Sequence, residues 1–165
     1  MQKEVKYLGH LISKEGVKPD PAKIEAVSKF SQPKNQKNIR QFLGLVGYYR
    51  RFIQGFSQIA KPLSNLLKND VTFIWDEETQ NSFEILKEKL CSKPVLQFPD
   101  FTQDFIVTCD ASGTAIGGIL SQGEIGKDRP VAYTSRVLTD VESRYDTYSR
   151  EALAIIQFRN FDLIY

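Results

Sequence analysis

The sequence predicts an α+β chain in which a β-hairpin and a small helical bundle precede a truncated mixed sheet of three strands with one main helix. Apolar and polar residues alternate near the N-terminus and again after residue 104, which is typical of half-buried strands. Between these regions, and again after residue 140, apolar residues recur at helical spacing. The charge divides as well, because residues 1–68 carry a net charge of +9 and residues 69–165 carry −7. We therefore expect two units with different partners.

The N-terminal strands and the first helix are predicted from turn and cap residues. Residues 4–12 alternate as one strand, residues 13–16 form a turn, and Val17 begins a return strand. Asp20 followed by Pro21 is typical of a helix N-terminus, because aspartate caps the free amides and proline fits the first turn.

Two further helices complete the predicted bundle. The second begins near Asn35 or Asn38, and its Gly44 and Gly47 predict either close helix packing or a bend. Pro62 is predicted to open the third helix, which ends near Asn69. Residues 1–70 are taken as one domain.

A connecting segment is predicted over residues 71–103. It contains a helix from Glu77 to Cys91, with Phe83, Leu86 and Leu90 facing inward and acidic residues in its first turn. An extended, proline-containing linker follows the helix.

The third domain, residues 104–165, is organised around Asp110. This residue ends the first arm of a predicted hairpin, before a turn in which Gly113 can adopt a positive φ. A carboxylate on rigid backbone suits Mg²⁺ or Mn²⁺, although an aspartate that only caps the turn explains the pattern equally well. A third strand is predicted over 130–136.

The main helix of this domain is predicted to run from about Val141 past Ile156, capped by Thr139 or Asp140. Its buried face is assigned to Tyr145, Tyr148, Ala152 and Ile155 or Ile156. Glu151 lies beside this stripe, where a glutamate is usually solvated.

No acidic residue occurs between Glu25 and Asp70, whereas eight lysines and arginines do. A surface of one sign repels itself unless a polyanion neutralises it, so this segment is predicted to bind phosphate. The alternative is that these cations are simply solvent-facing. Tyr48, Tyr49 and Phe52 beside Arg50 and Arg51 suit base stacking, but core packing is the favoured role for most of them.

Several runs resemble gypsy-type LTR retrotransposon Pol polyproteins in the order of that family. FIVTCDAS…IGGILSQ followed by PVAYTSRVLTDVESRYDTYSREALAII resembles the start of the ribonuclease H domain. KYLGHLISKEGVKPDPAKIEAV, IRQFLGLVGYYRRFI and IAKPLSNLLK resemble the end of the reverse transcriptase, including its thumb, and FIWDEETQNSFEILKEKLCSKPVLQFPDF resembles the segment that connects the two.

The resemblance implies particular site residues. Asp110 and Glu151 match the first two metal-binding carboxylates of the ribonuclease H, which hydrolyses the RNA strand of RNA–DNA hybrids with two metal ions. Contacts with RNA–DNA hybrid or DNA duplex are expected from the following residues: Tyr7, Leu8, Gly9, His10, Lys34, Lys37, Arg40, Tyr49, Arg50, Arg51 and Lys61. For His10, a solvated or hydrogen-bonded strand histidine is the favoured alternative.

Parts of the family pattern are missing. The paired polymerase aspartates and the later ribonuclease H carboxylates do not occur, so Mg²⁺ or Mn²⁺ is expected only in the complete parent enzyme, together with the rest of the Pol polyprotein. Gln157 also leads directly into Phe158, a shortening that is expected to move Phe161 and Leu163 out of phase.

The function expected is therefore an enzyme fragment, inactive alone. The alternative is a host-retained, non-catalytic nucleic-acid-binding module. The two cysteines lack metal-ligand spacing, which predicts an intracellular protein, in the cytoplasm or nucleus. No apolar run approaches the ~20 residues of a membrane span, so the protein is expected not to enter a membrane.

Overall fold

The computed structural model describes residues 3–92 and 95–159 and confirms the α+β class. The first sheet contains β1 (Glu4–Tyr7), β2 (His10–Ser13) and β3 (Gly16–Pro19), paired antiparallel in that order. Four helices follow: α1 (Pro21–Ser28), α2 (Gln36–Tyr48), α3 (Phe56–Asn65) and α4 (Glu77–Cys91), with a 3-10 turn at Arg50–Phe52. The second sheet contains β4 (Ile106–Ala111), β5 (Ala115–Gln122) and β6 (Arg129–Val137), also antiparallel in chain order, and α5 (Thr147–Phe158) comes last.

Side-chain caps set the starts of three helices where the sequence predicts them. The carboxylate of Asp20 accepts a hydrogen bond from the amide of Ala22 at 3.0 Å at the start of α1. The side chain of Asn35 accepts one from Asn38 at 2.9 Å at the start of α2. In α4, Asp76 and Thr79 form a reciprocal capping box. The predicted bounds and inward face of α4 are confirmed.

The prediction of one strand over residues 4–12 is wrong. The chain reverses at Leu8 and Gly9, whose φ angles are +43° and +73°, and Tyr7 pairs with His10 across this turn. Positive φ at both central residues gives a tight turn that matches the twist of the flanking strands. Leucine rarely adopts a positive φ, so the residues of this segment did not predict that the chain reverses here.

The predicted role of Pro62 is also wrong, because this proline lies inside α3 rather than at its start. A proline there removes one helical hydrogen bond. The helix forms nevertheless because Ala60 and Leu63 are buried in the core, with Phe56 and Ile59 packed beside them. Burial of this face outweighs the lost hydrogen bond.

The last helix starts later than predicted. Residues 142–144 form a 3-10 turn, and α5 begins only after Asp146, whose carboxylate accepts a hydrogen bond from the amide of Ser149 at 2.9 Å. Glu142 is engaged elsewhere: it forms a bidentate ion pair with Arg136 at 2.7 and 2.9 Å and accepts the amide of Thr139 at 2.8 Å. These bonds hold the pKa of Glu142 at about 2 and keep this segment out of the helix.

The predicted buried face of α5 is wrong as well, because Tyr145, Tyr148, Ala152, Ile155 and Ile156 are exposed. Ala154 and Phe158 are buried instead. The Phe158 ring fits over Gly118 of β5, where an added Cβ would lie 2.9 Å from it. This fit between ring and glycine sets the phase of the helix. The expectations for Phe161 and Leu163 concern residues outside those described.

A single apolar core joins the helices α1 to α4. It is formed around Phe42, Tyr49 and Phe83, and Tyr133 of β6 packs against it. The amide of Ser57 in α3 donates to the hydroxyl of Ser135 in β6 at 2.9 Å. The second sheet therefore carries the helical bundle on one face and α5 on the other. Within the described residues, no helix has the length and apolar character needed to cross a membrane.

Residues 95–97 connect the two sheets. Val17 and Leu96 exchange two backbone hydrogen bonds of 2.9 and 3.0 Å as an antiparallel bridge. The amide of Gln97 then donates to the carbonyl of Pro130 in β6 at 2.8 Å. Gly16 lies beside this bridge with a φ of +129°, and any side chain there would collide with the Leu96 carbonyl.

Replacement of Gly16 by alanine is expected to destabilise the fold by about 2 kcal/mol or more, because backbone strain of about 1–3 kcal/mol adds to the collision with Leu96. Denaturant unfolding of Gly16→Ala measures the loss. Gly126→Ala is the matched control, since Gly126 also has a positive φ of +87° but open space around it. Equal losses in the two variants would contradict the role given to the bridge.

Candidate functional site

Asp110 lies on β4, one residue before the end of the strand, and its side chain is exposed. It pairs with Gly117 of β5, which pairs in turn with Ser135 of β6. Residues paired across a sheet share a face, so Asp110 belongs to the face that carries Ser135 and the start of α3. A shallow cleft on this face is lined by Asp110, Thr108, Gln54 and Gln58.

The alternative role of Asp110 as a turn cap is not supported. Ser112 makes the hydrogen bonds of the turn: its hydroxyl accepts from the amides of Thr114 and Ala115 at 3.2 and 3.0 Å and donates to the Ala115 carbonyl at 2.9 Å. Gly113 does not adopt the positive φ predicted for it. Within residues 3–92 and 95–159, the Asp110 carboxylate has no hydrogen bond or ion pair.

Glu151 lies on α5 and is half-buried. It approaches β4 from the other face, close to Cys109. Burial, followed by the negative charge of Glu151, raises the pKa of the Cys109 thiol. Cys109 and Ala111 pack against the small core around Ile116 and Phe158, so α5 covers the face opposite to Asp110.

Asp110 thus belongs to the face of β4 that carries α3, and Glu151 belongs to the helix that covers the other face. Their oxygen donors suit a hard divalent cation such as Mg²⁺, which two carboxylates alone rarely hold. In the part of the chain that the structure describes, no group of three or more acidic, histidine or cysteine side chains is placed to bind a metal. The donor type fits the metal, but two carboxylates alone do not make a metal site.

The residues predicted at the N-terminal hairpin form its tip. Tyr7 and Leu8 are 62% and 70% exposed, although both side chains are large and hydrophobic. The Leu8 carbonyl accepts hydrogen bonds from the Tyr48 hydroxyl at 2.6 Å and from Nδ1 of His10 at 2.9 Å. The Gly9 carbonyl accepts one from the Tyr49 hydroxyl at 2.6 Å. The tip is thus held against the end of α2.

His10 is a hydrogen-bonded strand histidine, as the favoured alternative holds. Its ring packs among Tyr48, Tyr49 and Phe52, with centroids 5.5 to 5.7 Å apart. Desolvation in this aromatic surrounding lowers its pKa, and the nearby positive charge of Arg51 lowers it further. Burial likewise raises the pKa of Tyr49 to about 12, so both side chains are neutral at physiological pH.

One face of α2 is polar and open along its whole length. Lys37, Arg40, Gln41, Gly44 and Tyr48 are exposed and follow one another at helical spacing, opposite the buried Ile39, Phe42 and Val46. We call these five residues the α2 stripe.

Close helix packing, one of the two alternatives predicted for the α2 glycines, is wrong for Gly44, and the bend stays a prediction. An added Cβ at Gly44 would meet nothing within 4 Å, and one at Gly47 would meet only the Phe56 ring at an ordinary 3.9 Å.

The other predicted cations are more scattered. Lys34 and Arg50 are exposed, near the two ends of α2, whereas Arg51 and Lys61 are half-buried. Lys61 belongs to α3 and lies outside the α2 stripe.

Of the three aromatic residues near these cations, Tyr49 and Phe52 are core residues, as favoured, but Tyr48 is 55% exposed. Gln41 and Gly44 of the α2 stripe were not among the predicted contact residues, and Tyr48 was considered only for base stacking. The helical spacing of the three from Lys37 and Arg40 was the signal that could have grouped them.

Comparison with known proteins identifies the family. The family described as "RNase H-like domain found in reverse transcriptase" matches residues 75–161. Among curated relatives, the Pol polyproteins of the Drosophila melanogaster transposons opus and 297 are 43% and 40% identical and match 93% and 94% of the chain. The Tf2-3 polyprotein of Schizosaccharomyces pombe is 41% identical over 94% of the chain. The chain spans only 16%, 14% and 12% of these polyproteins.

Solved structures share the fold. The foamy viral protease-reverse transcriptase dRH in complex with double-stranded DNA superposes with a TM-score of 0.83 at 23% identity, over 95% of this chain and 28% of that one. The same viral enzyme in complex with RNA/DNA hybrid gives 0.81 at 24% identity, over 94% and 21%. The chain therefore belongs to the ribonuclease H-like domains found in reverse transcriptases and matches a segment of retrotransposon Pol polyproteins.

Proposed function

We propose that this chain is the duplex-holding part of a retrotransposon reverse transcriptase–ribonuclease H. It binds RNA–DNA hybrid or DNA duplex through the α2 stripe and the β1–β2 turn. It also contributes Asp110 and Glu151 to the metal-dependent hydrolysis of RNA in hybrids. Structures of similar fold hold double-stranded DNA or RNA/DNA hybrid, which supports this class of ligand.

The α2 stripe is the observation that carries the proposal. Lys37 and Arg40 are exposed on a helix face that meets the β1–β2 turn at Tyr48, and no acidic residue occurs between Glu25 and Asp70 to neutralise them. Cations on such a face contact phosphate and release counterions when they bind duplex, which makes the affinity depend on salt. Lys34 and Arg50 extend the positive surface beyond both ends of the helix.

Gly44 gives this face a flat centre. A glycine in a helix interior costs about 1 kcal/mol relative to alanine, and here no neighbouring side chain or backbone needs the space. A bare backbone allows another surface to approach closely. The local cost is consistent with a role in contact with a ligand rather than in packing.

The hairpin tip adds apolar contact beside this face. Tyr7 and Leu8 are exposed at a turn that Tyr48 of the α2 stripe holds in place. Exposed aromatic rings suit sugar and base surfaces, where stacking tolerates any sequence. His10 lies behind the turn and supports it.

Asp110 and Glu151 are the metal-facing part of the proposal. Each would supply carboxylate oxygen to Mg²⁺ or Mn²⁺ beside the edge strand β4, and the bound ions would activate water and stabilise the leaving oxygen. Two ligands do not hold two ions, so the further carboxylates are assigned to other parts of the Pol polyprotein. The chain alone is accordingly inactive.

The double variant Lys37→Ala, Arg40→Ala tests duplex binding by the α2 stripe. We expect it to weaken duplex binding and to make the slope of log affinity against log salt shallower by about 1 to 2, because up to two phosphate contacts are lost. Fluorescence anisotropy of a labelled duplex measures both quantities. The full chain is used, since Phe83 and Leu86 of α4 belong to the same core as α1–α3.

The matched control is Lys89→Ala, Lys127→Ala, which removes two exposed lysines from the acidic part of the chain. It should leave the salt slope unchanged. Equal effects of the two double variants would exclude a specific role for the α2 stripe.

Gly44→Ala separates stability from binding. The variant should be more stable by up to about 1 kcal/mol, because alanine favours the helix and meets open space. It should nevertheless bind duplex more weakly, because a methyl group then stands on the contact face. Asn81→Ala, an exposed change in α4, should gain stability without loss of affinity. Unchanged affinity in Gly44→Ala would argue against close approach at this face.

The full chain is expected not to cleave a labelled RNA–DNA hybrid with Mg²⁺ or Mn²⁺, because two carboxylates do not hold the two metal ions that the reaction needs. Denaturing gel electrophoresis of the labelled RNA strand checks this result. Cleavage that Asp110→Asn abolishes, and that the exposed control Asp104→Asn retains, would show that the chain holds a complete site.

A further inference from the structure

The turn at Leu8 and Gly9 adopts a conformation that its own sequence does not favour. Leu8 has a φ of +43°, where a branched side chain meets its own backbone. Its side chain is 70% exposed, so no burial of Leu8 compensates for this conformation. Something outside the turn must therefore hold it.

Four hydrogen bonds to the two turn carbonyls do so, and three of them come from outside the turn. The Leu8 carbonyl accepts from the Tyr48 hydroxyl at 2.6 Å and from the His10 ring at 2.9 Å. The Gly9 carbonyl accepts from the Tyr49 hydroxyl at 2.6 Å and from the Asp20 amide at 3.0 Å. Two of the four donors are neighbouring tyrosines at the end of α2.

The two tyrosines differ in what else they do. Tyr49 is 1% exposed and forms part of the apolar core, so its loss would disturb the whole fold. Tyr48 is 55% exposed, and its ring completes the α2 stripe. The Tyr48 ring meets that of Tyr49 edge-on at 4.9 Å and lies 5.5 Å from that of His10. Tyr48 thus joins the exposed face of α2 to the hairpin tip through a single hydroxyl.

We propose that Tyr48 is a positioning residue that holds the strained Leu8–Gly9 turn beside the α2 stripe. The hairpin tip and α2 then meet a nucleic-acid duplex as one preorganised surface. Preorganisation of this kind raises affinity because the ordering of the turn is completed before binding. The inference rests on the proposed duplex binding for its effect on affinity, but the ordering of the turn does not depend on any ligand.

Tyr48→Phe tests the proposal, since it retains the ring and removes only the hydroxyl. In the free full chain, backbone order parameters from NMR relaxation should fall at Leu8 and Gly9, while the thermal midpoint stays close to that of the wild type. Duplex affinity should fall about two- to tenfold, the range that one hydrogen bond supports, with no change in salt slope because no charge is lost. Tyr145→Phe is the control, an exposed tyrosine outside the α2 stripe and the turn.

A second variant distinguishes the positioning role of Tyr48 from a general structural role. Asparagine tolerates positive φ, so Leu8→Asn relieves the strain that the Tyr48 hydroxyl counteracts. In the double variant Leu8→Asn, Tyr48→Phe, the turn should recover its order.

The order parameters and the duplex affinity test the proposal independently of each other. Unchanged order at Leu8 and Gly9 in Tyr48→Phe, or no recovery in the double variant, would overturn the positioning role. An affinity loss that Tyr145→Phe reproduces would overturn it as well. If the wild-type chain binds no duplex, the proposed function fails, whereas the order parameters still decide whether Tyr48 holds the turn.

Discussion

The short antiparallel bridge between Val17 and Leu96 is the constraint on which the arrangement of the chain depends. It joins the first sheet to the segment after α4, and the adjacent Gln97 joins that segment to β6. The two small sheets are thereby fixed to one bundle of helices. The backbone at Gly16 makes the bridge possible, because only glycine leaves room for the Leu96 carbonyl.

The bridge also decides where the two candidate regions lie. With β6 held next to the bundle, one face of the second sheet carries α3 and the other is free to carry α5. Asp110 belongs to the first face and Glu151 to the helix on the second. The carboxylates reach the edge of β4 from two sides, and this edge pairs with no other described strand. A metal site between them needs ligands from beyond that edge, which is the physical reason to assign the remaining carboxylates elsewhere in the polyprotein.

The proposed nucleic-acid surface contains two positions where local stability and the proposed function conflict. Gly44 weakens its helix without serving any packing contact, and Leu8 adopts a backbone conformation that leucine avoids. Sequences that specify a fold usually satisfy such local rules, and exceptions gather at functional sites. Here both exceptions lie on one surface, joined by the Tyr48 hydroxyl. The rest of the bundle follows these local rules. Its helix caps and buried apolar stripe stabilise the fold, whereas Leu8 and Gly44 do not.

The sequence by itself determined the fold class, the starts of α1, α2 and α4, and the core role of Tyr49 and Phe52, because these depend on residues close together in the chain. Charge patterning also separated the basic part from the acidic part. Three features depended on tertiary contacts that no local pattern reports. Tyr48 and Tyr49 bend the chain at Leu8, burial carries α3 through Pro62, and the fit of Phe158 over Gly118 sets the phase of α5. The site divides in the same way: the sequence selected Asp110, Glu151, Lys37 and Arg40 by residue type and resemblance. Only the tertiary structure placed Asp110 on the sheet face that carries α3 and Glu151 on the helix that covers the other face. It also aligned the cations with Gly44 and Tyr48, because strand pairing and helix packing decide which side chains share a surface.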